Sequence, residues 1–376
     1  MTQLRFFSDS NSDLIYPLNI GRSASTLHFG ARSVSTQWKE ALEYKVRTLI
    51  RLNSRLFPTQ KAIEVVTNMK AGDRWESEGI LLAEAEGTGG NSVGKGIHAP
   101  LASSPTDYYE QCGVGIAEDL SRMKRAWSTR TLSEEEREAW AHVGVFFQGE
   151  LDRVHIAPGA KIRSCTINTE NGDVMLGVDS EIMEGSNIRG PFVLGAFSKL
   201  KMGSQIYGPT TIGAHCKIGG ELNNVVIHDY TNKAHGGFIG NSVLGSWCNL
   251  GAGTVSSNLK NTYGEVEVWS KSERSMVTSG SIFCGLLMAD HSKTAINTSF
   301  NTGTVVGAFC NIFKKPAKHI ASFSWGGSEN CGAYEIEKAI STARIVMGRR
   351  DLPLGDSDAA KIRMLFKETE VDRVNV

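Results

Sequence analysis

The stretch Asn232-Lys233-Ala234-His235-Gly236-Gly237-Phe238 concentrates side chains able to do chemistry. A histidine titrates near neutrality, so His235 is placed to act as a general base. The two glycines after it let a ligand come close to the backbone. Lys233 and the upstream Asn224 offer a cation and an amide to a polar acceptor. Further on, Gly251-Ala252-Gly253-Thr254 is a run of small residues. Backbone N–H groups left open there suit the carbonyl of a thioester or the amides of its carrier arm. Asn258 and Lys260 add an amide and a second cation, for acceptor or phosphate. The bland reading of the same residues is a surface histidine in a turn, then a glycine-rich corner and a long loop.

Such groups need a scaffold, and the spacing of aliphatic residues supplies one. Every sixth residue from Leu176 gives Leu176, Ile182, Ile188, Leu194, Leu200, Ile206, Ile212 and Ile218. The period returns at Phe238, Leu244 and Leu250, and again at Met288, Thr294, Phe300, Val306 and Ile312. A weaker start lies at Ile156 and Ile162. Six matches neither the helical repeat of about 3.6 nor the strand repeat of about 2. It matches a three-sided coil in which each side sends one aliphatic inward and glycine or a small residue turns each corner. The register breaks twice, between Ile218 and Phe238, where Asn224 stands in an aliphatic slot, and between Leu250 and Met288. The candidate residues Asn224, Lys233 and His235 fall in the first break, Gly251 to Lys260 in the second. Local rules tend to fail at functional sites.

The flanks differ in kind. Residues 1–150 show no hexad. Ser35 to Leu56 reads as an amphipathic helix, and Ser133-Glu134-Glu135-Glu136 as a capping box opening another. Ile80-Leu81-Leu82 and Val143 to Phe147 read as strands, and Glu86 to Ser104 as a mobile loop. That loop holds Gly89 to Lys95, which fits G-x-x-x-x-G-K, but Gly96 stands where Ser or Thr should follow. It reads as a linker, not a phosphate cradle. Glu335 to Arg349 and Asp358 to Glu368 read as two helices capping the coil.

Lys plus Arg and Asp plus Glu number 40 each, which argues against nucleic acid or an anionic membrane as partner. The seven cysteines are scattered with no C-x-x-C pair, so reduced thiols and no metal site are expected. The N-terminal stretch lacks an apolar leader core and no run approaches ~20 apolar residues. These features together predict a cytoplasmic protein.

The stretch from about 150 to 315 resembles the acetyltransferase half of GlmU-like sugar-1-phosphate nucleotidylyltransferase/amino-sugar N-acetyltransferases. The resemblance is also to GlmU-related sugar nucleotidyltransferases and hexapeptide-repeat acetyltransferases generally. It is carried by Ile206-Tyr-Gly-Pro-Thr-Thr-Ile-Gly-Ala-His-Cys-Lys-Ile-Gly-Gly220, Asn232 to Asn241, Leu250 to Thr254, Asn258-Leu-Lys260 and Met288-Ala-Asp-His291. It implies a left-handed coil, acetyl-CoA as substrate, a sugar acceptor and a homotrimer with sites between subunits. By the same likeness His235 matches a catalytic histidine, Asn258 an asparagine near the acetyl group, and Lys201 an arginine for the sugar phosphate. The sequence departs at Phe238, where a tyrosine is expected, and at Gly264 and Glu267, where archaeal relatives have lysines. Ile15 to Arg22 faintly resembles a nucleotidylyltransferase segment, which makes Arg22 a nucleotide-binding candidate, but the leading glycine-rich phosphate loop is absent.

The expected organisation is an α+β, nucleotidyltransferase-like domain over 1–150. A left-handed parallel β-helix over 151–315 and a C-terminal helical extension over 316–376 follow it. The expected function is acetyl-CoA-dependent N-acetylation of an amino sugar or its phosphate. The first alternative is sugar-1-phosphate nucleotidylyl transfer, the one case that would require Mg²⁺. The second is a non-catalytic scaffold binding CoA or a nucleotide sugar.

Overall fold

The computed structural model describes residues 4–374 apart from positions 44, 47 and 99. Its spine is a left-handed parallel β-helix, a three-sided coil. Along the first face Leu176, Leu194, Ile212, Ile227, Leu244, Met288, Val306 and Ile320 pair in register. On the second, Ile162, Ile182, Leu200 and Ile218 are followed by Lys233. On the third the column is Phe147, Ile167, Ile188, Ile206, Leu222, Ile239, Ser256 and Phe300. All eight aliphatics of the unbroken hexad run sit in these columns, out of water. Each contributes roughly 1.5–3 kcal/mol on burial.

One expectation misses by a residue. Ile239, not Phe238, fills the inward slot, and Phe238 lies outside, half-buried. Coil length is the reason. Leu176 to Leu194 spans eighteen residues, Ile212 to Ile227 fifteen, and Ile227 to Leu244 seventeen. At the second corner Gly219-Gly220 joins the strands directly. At the third, Glu221–Ile227 and Phe238–Leu244 each turn on a single residue, Asn224 and Asn241, with φ of +56° and +46°. Asparagine tolerates that left-handed conformation better than most side chains. The second break is an insertion: residues 257–285 leave the third corner and carry the hairpin Glu267–Ser270 with Ser275–Thr278.

The first corner holds a ladder of rings. Phe197, His215, Tyr230, Trp247, His291, Phe309 and Phe323 stack with centroids 4.1 to 6.0 Å apart. Each has a φ between 58° and 64°. Phe366 of the C-terminal helix Asp356–Glu368 meets the last ring edge-on, and Arg373 lies over both.

Before the coil, a five-stranded sheet is ordered Leu4–Phe7, Ile50–Asn53, Ile80–Ala85, Arg74–Ser77, Ser92–Val93. The helix expected from Ser35 to Leu56 stops at Leu42, and Ile50–Asn53 is a strand parallel to Leu4–Phe7. Ile50 and Leu52 are buried while Arg51 is exposed, the alternation of a strand. Pairing with the N-terminal strand overrides a chance helical spacing. The capping box opens the helix Glu134–His142 as read. The strand expected at Val143 to Phe147 is Phe146–Gln148, and it belongs to the coil's third face. The segment 86–104 is tied down: Ser92–Val93 pairs with Arg74–Trp75, and Gly94 lies against the Trp75 indole. Over the first face the N-terminal helices cover an apolar exterior. Met175, Val193, Val226, Val243, Leu287 and Val305 share one core with Trp38, Tyr108 and Met123.

Candidate functional site

The second corner of the coil, in the turns around residue 235, carries half of the sequence candidates. Lys201, His235 and Gly251 to Gly253 occupy equivalent corners of different coils. Lys201 is half-exposed and its Cβ lies 3.2 Å from where a Cβ would stand on Gly219. His235 is exposed, held to the frame through its own carbonyl, which accepts from Lys233 Nζ at 2.8 Å. One coil on, Gly253 N–H donates to Gly236 O at 3.1 Å. Residues 238–240 then cross the third face to the third corner, a span on the order of 10 Å.

At that far corner Asn258 Nδ2 donates to Asn241 Oδ1 at 2.8 Å. Asn224 lies one rung below Asn241, and its Oδ1 is buried without a partner. Glycine at 240 leaves the space that two side chains fill: a Cβ there would lie 2.5 Å from the Phe238 ring and 2.8 Å from Asn258 Nδ2. The Phe238 ring and the Asn258 amide therefore close over bare backbone between the two corners. Farther down the same face, Asn187, Arg189, Gln205 and Tyr207 line a polar groove of about 290 Å³.

Four expectations need correction. Lys233 cannot meet a sugar, because it is 1% exposed and points into the coil. The amides of Gly251 and Gly253 are not open, since they donate to Thr294 Oγ1 and Gly236 O. Those glycines serve stacking: a Cβ on Gly251 would lie 2.5 Å from the Ala295 backbone. Of the three, Ala252 keeps an N–H that takes no part in joining the described corners. Lys260 bonds the carbonyl of Glu265 within its own loop. Arg22 is no free phosphate ligand. Its guanidinium holds Asp290 at 3.0 Å, with Thr26 and Ser246, and so fastens the N-terminal module to the coil.

The sequence reading also passed over a cluster at that junction. His28 N–H donates to His228 Nε2 at 3.0 Å, and burial pushes both imidazoles below the usual histidine range. With Arg22 and Asp229, His28 lines a cavity of about 420 Å³. Only contact across some 200 residues of chain assembles it, so no local spacing announces it. Asn241 was equally absent from the candidates, although its position one coil above Asn224 repeats the same kink.

No family model matches the chain. It is 33% identical over 99 residues to a bifunctional sugar-1-phosphate nucleotidylyltransferase/acetyltransferase of Sulfurisphaera tokodaii, 26% of this chain and 24% of that protein. It is 34% identical over 92 residues to the bifunctional protein GlmU of Methanocaldococcus jannaschii, 24% of this chain and 22% of that one. The match thus spans about a quarter of each curated relative. Among solved structures, an acetyltransferase of Bacillus cereus aligns over 57% of this chain and 99% of its own, at 10% identity and a TM-score of 0.32. An Arabidopsis UDP-N-acetylglucosamine acyltransferase aligns over 56% and 79%, at 18% identity and a TM-score of 0.24. The fold therefore rests on the strand pairing itself.

Proposed function

We propose, from the likeness to GlmU-type nucleotidylyltransferase/acetyltransferases, that this chain is an acetyl-CoA-dependent N-acetyltransferase acting on an amino sugar or amino-sugar phosphate. The observation that carries the reading is His235, an exposed imidazole at a corner whose backbone Lys233 Nζ holds at 2.8 Å, beside the third face. In the proposed step the acceptor amine attacks the thioester carbonyl and His235 takes the proton. The C–S bond then breaks, and the proton passes to the departing thiolate. Ala252 N–H is the donor offered to the oxyanion. Asn258, braced by Asn241, orients the acceptor, and Lys201 meets its phosphate. The chain's own N-terminal module occupies the first face, so the second and third faces are left to neighbouring copies. On this reading the working form is a homotrimer. Six buried free cysteines suit the reducing cytoplasm.

The test is thiol release from acetyl-CoA with glucosamine 1-phosphate and related amino sugars, alongside light scattering for the trimer. Absence of release with every amino sugar, or full turnover in His235→Ala, overturns the reading. CoA binding without turnover would favour a scaffold instead.

A second reading has one observation of its own. Arg55, His98 and Asp107 line a cavity of about 450 Å³ beyond the carboxyl ends of the parallel strands Leu4–Phe7 and Ile50–Asn53. Open α/β sheets bind ligands in that position. Mg²⁺-dependent pyrophosphate release from a nucleoside triphosphate and a sugar phosphate would establish nucleotidylyl transfer there.

A further inference from the structure

Four regular coils end the second corner in a hydroxyl: Ser186, Ser204, Thr254 and Thr298. These hydroxyls tie down the carbonyl of a corner's first residue. Ser204 Oγ donates to Lys201 O at 2.5 Å, and Ser186 Oγ reaches the same oxygen at 3.2 Å. Thr298 Oγ1 donates to Ala295 O at 2.8 Å, with Thr254 Oγ1 at 3.4 Å. Around His235 the pattern lapses. One corner has shrunk to Gly219-Gly220, and the next ends in Gly237. Neither position has room for a side chain: a Cβ on Gly220 would lie 2.6 Å from Gly237 O, and one on Gly237 2.2 Å from Thr254 O.

The amine of Lys233 takes the place of the missing hydroxyl at Gly219, its corner's first residue, and in the next corner holds the second residue, His235. Lys233 is the register partner of Ile218 in the aliphatic column. Its Nζ donates to Gly219 O at 3.0 Å and to His235 O at 2.8 Å. A cation in a slot made for a branched aliphatic is costly unless hydrogen-bonded. A leucine or isoleucine there would pack better and leave both carbonyls without a donor.

We propose that Lys233 is a positioning residue for His235, gathering the carbonyls of two successive corners and so fixing the backbone from which the imidazole projects. This rests on the reading of His235 as the acceptor's base. Burial pushes the Lys233 amine down to about 8, so at neutral pH it is still mostly the three-donor ammonium.

The experiment follows the His235 imidazole by NMR in histidine-labelled full chain, together with acetyl-transfer kinetics, in Lys233→Met. Expected are a folded protein and a shifted, broadened His235 resonance. The kcat should fall at least ~10-fold while KM for acetyl-CoA stays within about twofold, the signature of a misplaced base. A folded variant with the wild-type resonance and kcat overturns the proposal. So does a lower melting temperature with unchanged kcat per folded molecule. Should the Met variant not fold, Lys233→Leu fills the aliphatic slot and likewise leaves both carbonyls without a donor. A displaced resonance and a lower kcat support the proposal, and wild-type values of both overturn it. If the wild-type chain acetylates no amino sugar, the functional reading falls, and the imidazole resonance still decides the role of Lys233.

Discussion

Two histidines show how position sets the task of a titratable side chain. His235 is exposed at a corner, so His235→Ala should cost acetyl transfer about 10²–10⁴-fold in thiol release while leaving the melting temperature nearly unchanged. His319 is the opposite case. Its ring stacks on Trp269 at 4.3 Å, Nε2 pairs with Tyr16 Oη at 2.9 Å, and burial, aided by Arg274, pushes it down to about 4. Between the unfolded value near 6.5 and that folded value, the unfolded chain binds the extra proton. Stability from the neutral ring is therefore present above pH 6.5 and lost as pH falls toward 4. His319→Phe should be less stable at pH 7 by about 1–3 kcal/mol, because Tyr16 loses its partner. The gap should narrow by roughly 2 kcal/mol at pH 5. Urea midpoints at the two pH values measure it, and an unchanged gap would rule the account out.

At the scale of elements, what was legible in the sequence is what repeats. Columns of inward residues at a spacing of six were readable because every coil restates them. The ring ladder was equally available: Phe197, His215, Tyr230, Trp247, His291, Phe309 and Phe323 each follow an inward first-face residue by three positions, from Leu194 to Ile320. The orientation of Lys233 was not legible. Its slot became inward only because fifteen residues replaced eighteen, and that shortening is absorbed at corners, not in strands. For the same reason Asn258 and His235 could be named as candidates, but the corners that hold them could not. The ladder carries its own expectation. Trp247 has rings on both faces, with Tyr230 at 4.1 Å and His291 at 6.0 Å, whereas Phe197 ends the stack and is 48% exposed. Trp247→Ala should cost about 2–4 kcal/mol in denaturant unfolding, and Phe197→Ala under ~1 kcal/mol. Equal losses would mean the rings act singly, not as a stack.

At the scale of the molecule, the coil keeps an interior core of its own, while the core of the N-terminal part is completed by the coil's outer first face. An isolated coil would expose Met175, Val193, Val226, Val243, Leu287 and Val305, an apolar strip interrupted by Thr211, which the N-terminal helices and the insertion hairpin cover. Three polar clamps reinforce the cover: Arg22 to Asp290 at 3.0 Å, Lys271 to Asp13 at 3.3 Å, and Tyr16 to His319 at 2.9 Å. The partners in each clamp come from distant stretches of chain, so the sheet module, the insertion and the coil are fastened to one another. A strip of that size exposed to water drives aggregation. Residues 143–376 expressed alone should therefore be insoluble or bind a hydrophobic dye, unlike the intact chain. The intact chain should melt in a single calorimetric transition, with equal calorimetric and van't Hoff enthalpies. Arg22→Ala should lower that transition without splitting it, because the apolar contact that couples the parts persists. Two resolved transitions in the wild-type chain would show instead that the module and the coil are separate folding units.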